Sequence, residues 1–256
     1  SIRSSMRATP VFGYYPEPRF SVNHLTDYMA TTNASQREKV IQDAQFPRKK
    51  PITAYQLPRR EIQRFFTSGK GDVSFFDLTR SKLEHTILVD EEGRAEARQD
   101  LKALDAFIAL YKTKRWTKLE MGLSGVDVPV VISKVPVNVR LNATLFETDK
   151  QGVRNSGGVV LFMAQTASAR KNIEERRRQV SQLVLWALEA DRNVEPLPRL
   201  CMSIDVFGGE IVKAQEVSER FRDYARSACR EAARSWDEVL PPANYDGPAI
   251  KPRRVP

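Results

Sequence analysis

Histidine and cysteine are the scarcest chemistry-bearing residues of this chain: His24, His85, Cys201 and Cys229 are all it has in 256 residues. Two thiols cannot build a disulfide framework or a four-thiolate zinc site. No HxH, HExxH or CxxC spacing occurs, which excludes the zinc sites written on those spacings. A Ser-His-Asp or Cys-His catalytic set would have to use His24 or His85, and neither stands near a nucleophile motif. No run approaches the ~18 consecutive apolar residues that a spanning helix needs. The first residues show no basic-then-apolar leader pattern. No internal repeat is visible. These absences set the expectation of a cytoplasmic protein with no membrane partner, no cofactor and no resident metal.

What is present is a core and a charge. Hydrophobic residues make up 41% and charged residues 29%, enough apolar side chains for a packed interior. Lys and Arg number 41 against 32 Asp and Glu, a formal net charge of +9. That surplus fits a polyanionic partner, nucleic acid first among them.

Along the chain, residues 1–20 carry Pro10, Pro16 and Pro18 without a period and read as an extended arm. Residues 21–93 read as a helical subdomain. Ser21 caps a helix to about Ala30, and Ser35-Gln36-Arg37-Glu38 has the form of a capping box. Phe46-Pro47 ends that helix, and Arg48, Lys49 and Lys50 follow as a basic loop. Pro58 opens a third helix. Thr86 to Val89 reads as a short edge strand. Short helices with basic loops suit either a helix-turn-helix module or a plain helical cap. No helix here has a polar base-reading face, which favours the cap.

Residues 94–240 give the clearer pattern. Ala97, Leu101, Leu104, Ile108 and Tyr111 share one helical face. Strands are expected over 118–123, 128–132, 137–146 and 159–164. Ser168 caps a long helix to about Ala190. Another strand spans 200–207, Gly208-Gly209 turns it, and residues 210–214 return. A last helix spans 216–239. Residues 241–256 read as a flexible basic tail ending in Lys251, Arg253 and Arg254. The fold class expected is α+β or α/β: a central mixed sheet flanked by helices, with an N-terminal helical subdomain.

The order helix, three strands, helix, strand resembles the core of the PD-(D/E)XK nuclease-like superfamily, over about half the chain. Arg140-Leu141-Asn142-Ala143-Thr144-Leu145-Phe146 looks like that family's second strand. Gly158-Val159-Val160-Leu161-Phe162-Met163 looks like its third. The resemblance implies an aspartate where Asn142 stands, then an acid, a spacer and a lysine where Leu161-Phe162-Met163 stand. Such a site holds a divalent cation on two carboxylates, activating water against a phosphodiester. An amide and apolar side chains cannot do that, so the site resembles a degenerate one. Among other acids, Glu120, Glu147, Asp149 and Asp205, only Asp205 near a strand end is a catalytic candidate. It lacks an evident partner acid and lysine.

Arg222, Arg226, Arg230 and Arg234 recur every four residues, which stacks four guanidiniums on one face of the last helix. A second helix carries Arg170, Lys171, Arg176, Arg177 and Arg178, interleaved with Glu174 and Glu175. The expectation is a catalytically silent nuclease-like module. It would bind nucleic acid through Arg222, Arg226, Arg230, Arg234, Arg48, Lys49, Lys50, Arg253 and Arg254, within a larger assembly. The alternatives are a structural or protein-interaction subunit, and a metal-dependent nuclease with displaced acids.

Overall fold

The computed structural model describes residues 11–49, 54–68, 71–113, 120–122, 125–167, 169–191 and 193–250. The fold is α+β, with helices flanking two sheets. The chain forms two compact units, each drawn from distant segments: 1–52, 131–137 and 223–256 in one, 53–130 and 138–222 in the other.

The first unit is mainly helical. β1 (Phe20–Ser21) leads into α1 (Val22–Ala30), whose start is fixed by Ser21 Oγ accepting the His24 N–H at 3.2 Å. α2 (Ala34–Gln45) starts earlier than its capping box suggested. Asn33 is the cap, accepting the Gln36 N–H at 3.1 Å. Asn caps as well as Ser, and Asn33 lies two residues upstream. Glu38 is thereby released from any capping role. The turn Ser133-Lys134, both at positive φ (49° and 68°), joins β3 (Val126–Ile132) to β4 (Val135–Leu141). β4 is the middle strand of the order β1-β4-β3.

The described parts of the arm and the tail touch each other. The Asp246 carboxylate accepts the Val11 N–H at 2.8 Å and the Phe12 N–H at 3.0 Å. The Tyr245 ring stands edge-on to Phe46, with centroids 5.2 Å apart. Within residues 241–250, Tyr245 and Asp246 make these contacts with the start of the described chain and the end of α2. Lys50, Lys251, Arg253 and Arg254 lie outside the described residues.

The second unit holds α3 (Gln56–Ser68), α4 (Asp77–Val89), α5 (Arg94–Thr113) and a five-stranded sheet. Its strands are β2 (Glu120–Met121), β5 (Ala143–Thr148), β6 (Arg154–Phe162), β7 (Glu195–Asp205) and β8 (Glu210–Lys213), in the order β2-β5-β6-β7-β8. Among the described pairs of this sheet β6 and β7 run parallel and the others antiparallel; the parallel pair requires a crossover, and α6 (Ile173–Ala190) supplies it. The expected helix cap at Ser168 falls outside the described residues. α6 begins after Asn172, a left-handed residue at φ 57°.

Thr86 to Val89 is not a strand but the last turn of α4. Leu88 is 77% and Val89 65% exposed, so nothing pairs or buries those side chains as an edge strand would. The helix runs on from a 3-10 turn nucleated by Asp72, whose carboxylate accepts the Ser74 N–H at 3.0 Å. Beneath α3 and α5 the core is aromatic: Phe65, Phe66, Phe76 and Phe107 are all buried, with Phe65 and Phe76 centroids 4.9 Å apart. The β6–β7 register shifts at Gly157, where the extra residues, 197–200, lie on β7 and a Cβ on Gly157 would meet the Leu200 backbone.

Candidate functional site

A long alternating run over 137–146 is broken by one residue. The chain bends at Asn142, ending β4 and starting β5. Asn142 donates its N–H to Val159 O at 2.7 Å, and its side-chain Oδ1 accepts the Leu161 N–H at 2.8 Å. The amide thus stands in for a backbone carbonyl that the bend removes from the ladder. A neutral acceptor fits, because Asn142 is only 6% exposed and a bare carboxylate there would be desolvated. Its oxygen faces a strand N–H, not a cation. Replacing Asn142 by alanine leaves the Leu161 N–H buried and unpaired, and should destabilise by about 2 kcal/mol. Equilibrium urea unfolding of Asn142→Ala against the unchanged chain measures this, and a difference within error would remove the ladder role.

Leu161 and Met163 are buried in the apolar core with Val159 and Ile204. Beside them, Arg59 of α3 donates from Nη1 to Leu161 O at 3.2 Å, and burial lowers its guanidinium below the ordinary range. The Tyr55 hydroxyl donates to Gln165 Oε1 at 2.8 Å. Among the described residues, no acid–spacer–lysine set stands at this strand end, where the chain reads Leu161-Phe162-Met163.

Asp205 closes the end of β7 and is fully buried, not an exposed turn-capping acid. Arg170 grips it with both nitrogens, at 3.1 Å to Oδ1 and 2.8 Å to Oδ2. The same Oδ1 accepts the Gly208 N–H at 2.9 Å, and a Cβ on Gly208 would collide with the carboxylate. Asp205 in turn holds the Arg170 guanidinium above its usual range. Arg177 lies on the other side, only 2% exposed, with Nη1 3.6 Å from Asp205 Oδ2 and Nη2 2.6 Å from Glu210 Oε2. Glu210 is the residue opposite Asp205 in the β7–β8 ladder. Two guanidiniums therefore lie against two carboxylates and cancel their charge. A cation would have to displace arginines that already use the carboxylate's lone pairs. Among the described residues, no three His, Cys, Asp or Glu side chains are grouped to hold a metal ion.

The arginine stripe divides in two. Arg222 pairs with Glu189 at 2.6 Å and lies 4.8 Å above the Trp186 ring. Arg226 pairs with Asp223 at 2.9 Å. Arg230 and Arg234 are exposed, and neither has a carboxylate within ion-pair distance among the described residues. Arg48 stacks on Phe12 at 5.5 Å and stays exposed, as does Lys49. The Val11 and Phe12 N–H groups depress the Asp246 carboxyl, and the Lys49 charge adds a smaller share. Of the second basic run, Arg170 and Lys171 lie in the turn before α6 and not on the helix; Arg170 and Arg177 belong to the buried lock, and Arg178 pairs with Glu175 at 3.4 Å.

Cys201 and Cys229 are free and buried, and burial pushes both thiols up to about 12. Neither is a nucleophile at neutral pH. No helix among the described residues is long and apolar enough to cross a membrane. Two features escaped sequence reasoning. The Arg170–Asp205–Arg177–Glu210 lock joins residues up to forty positions apart, and no local pattern marks such a pairing. Asp100 of α5 is 6% exposed with its carboxyl raised to about 6, by burial first and by the Glu96 charge second. Its place on the buried face was legible from the spacing of Ala97 and Leu104. No known protein family and no curated protein matches this chain.

Proposed function

We propose that the protein is a catalytically silent nuclease-like module that binds nucleic acid through its phosphates, as part of a larger assembly. The observation that carries this reading is the closed carboxyl end of the sheet. Asn142 is committed to a strand N–H and Asp205 to two arginines, so neither is left to hold a cation. The reading as a metal-dependent nuclease loses its best acid by the same fact. What the surface still offers an anion is exposed cation charge, at Arg230 and Arg234 and at Arg48 and Lys49. Arg222 and Arg226 are poorer phosphate ligands than their stripe suggested, because acids already hold them.

Fluorescence anisotropy with labelled oligonucleotides tests the reading. Affinity should fall steeply between ~50 and ~200 mM salt. The double variant Arg230→Ala/Arg234→Ala should weaken binding and flatten the salt slope by about 2. Absence of binding to DNA and RNA at low salt discards the nucleic-acid half. A protein-interaction subunit is the second reading, favoured by Leu78, Leu88 and Val89, which stand 68%, 77% and 65% exposed on α4.

A further inference from the structure

At the carboxyl ends of β6 and β7, Arg170 and Arg177 are balanced by Asp205 and Glu210. Arg59 has no such partner. Its Nη1 donates to Leu161 O, and among the described residues no carboxylate lies within ion-pair distance of its guanidinium. Burial lowers that guanidinium below its ordinary range, and no acid raises it again. The Asp100 charge reaches Tyr55, one turn before, but not Arg59. A partly desolvated cation without a counter-charge is unfavourable. Groups of that kind collect where a charged ligand binds. Leu161 explains the donor but not the charge. The β5–β6 register ends at Ala143 and Val159, and Leu161 lies beyond it. Asn142 Oδ1 accepts its N–H and Arg59 meets its carbonyl. That carbonyl calls for one donor, which a neutral amide could supply as well.

The position suits a ligand. Arg59 is half-buried, whereas the Nε of Arg177 is sealed without a partner. The carboxyl end of parallel strands, before the crossover helix, is where open α/β sheets take their ligands. Gln165 stands at the same end of β6. Its Oε1 accepts the Tyr55 hydroxyl, which fixes the amide so that Nε2 is the free donor, and Nε2 has no partner among the described residues. Tyr55, the residue before α3, is left-handed at φ 64°, a strained conformation for a bulky side chain. Such strain persists only where the surroundings fix it, here through the Gln165 bond and the Phe207 ring 5.2 Å away.

We infer that Arg59 and Gln165 Nε2 hold a phosphate group at the carboxyl end of β6. A carboxylate is the poorer fit, because a guanidinium fork occupies both of its oxygens, while a phosphate keeps another for the amide. The site goes beyond the surface reading. It uses neither Arg48 and Lys49 nor Arg230 and Arg234 of α7 (Glu219–Ser235).

Two probes separate the sources of the phosphate. Thymidine 5′-monophosphate carries a monoester, and a short oligothymidylate without terminal phosphates carries diesters only. Heteronuclear NMR titrations of the full chain should give saturable shifts at Tyr55, Leu161 and Gln165, with an affinity of ~1 mM or tighter. Arg59→Gln removes the charge and keeps a donor. It should weaken the better probe at least ~10-fold. Its urea midpoint without probe should equal or exceed that of the parent, because the charge it removes is unpaired. Arg230→Ala/Arg234→Ala should leave the mononucleotide shifts unchanged. Tighter binding of the mononucleotide assigns the site to a phosphate monoester, and tighter binding of the oligonucleotide assigns it to a strand. Mononucleotide shifts without oligonucleotide binding at low salt keep this site and discard the nucleic-acid reading. Oligonucleotide binding with no saturable shift at these residues does the reverse. No saturable shift with either probe, or equal binding by Arg59→Gln, overturns the inference.

Discussion

Asp205→Ala should destabilise the protein by about 3–5 kcal/mol, the range for removing one member of a buried ion pair. The carboxylate serves more than one group. It accepts two bonds from Arg170 and one from the Gly208 N–H, and it lies 3.6 Å from Arg177 Nη1. Removing it leaves Arg177, 2% exposed, with Glu210 as its remaining counter-charge, and Glu210 is itself 60% exposed. Arg170 loses less, because about a third of its side chain already meets water. In thermal unfolding the loss should appear as a fall of about 10 °C, at ~2–4 °C per kcal/mol for a chain of this size. A second variant separates charge imbalance from lost packing. Asp205→Ala/Arg177→Met removes the stranded guanidinium together with its partner, and should recover part of the loss. If Asp205→Ala unfolds within 1 kcal/mol of the parent, or the double variant is the weaker by the full sum of its parts, the lock is not what holds this strand end.

How much of this was legible depends on whether a feature is periodic. The α5 stripe, the apolar β6 run and the Gly208-Gly209 turn are local patterns, and each forms near the residues that announce it. The alternating run over 137–146 was legible as extended chain. Its break was not, because Asn142 breaks it by lending a side-chain acceptor to another strand, a contact nineteen residues away. Thr86 to Val89 misled because β-branched and apolar residues in a run of four suit a strand or a helix end equally. The preceding turn decided for the helix.

The candidate site divides the same way. That Asn142, Leu161 and Met163 cannot assemble a metal cradle follows from their chemistry alone. That Asp205 is neutralised instead of exposed follows from pairings across β7, β8 and α6, which sequence spacing does not encode. The four arginines of α7 share the helical repeat, yet their partners differ: Glu189 holds Arg222 and Asp223 holds Arg226, while Arg230 and Arg234 face water. A stripe in sequence fixes which side of a helix a charge is on, and the neighbours of that side fix whether the charge is available.

Asp100→Asn should raise stability above neutral pH and leave it nearly unchanged near pH 4. Asp100 is 6% exposed, and among the described residues no donor or cation contacts its carboxylate. Glu96, one turn earlier on α5, adds a like charge, and Tyr55 is the other titratable group that senses it. Burial and Glu96 lift the carboxyl from 3.8 to about 6. The sign follows from proton counts. Below pH 3.8 the folded and unfolded chains both hold the proton, and the site carries no penalty. Between 3.8 and about 6 the folded chain keeps a proton that the unfolded chain has released, so stability falls as pH rises through that window. Above about 6 the penalty is complete, at up to about 3 kcal/mol less what solvent screening returns. Asp72 and Asp246 have depressed carboxyls and act in the opposite direction, losing stability as pH falls. They are common to both proteins, so the difference between parent and Asp100→Asn isolates the buried acid. Urea unfolding at pH 4, 6 and 8 should give a gap that opens with pH and then levels. Glu96→Gln should lower the Asp100 carboxyl and narrow that gap. A gap of constant size across the three pH values would mean that Asp100 is solvated and does not strain the fold.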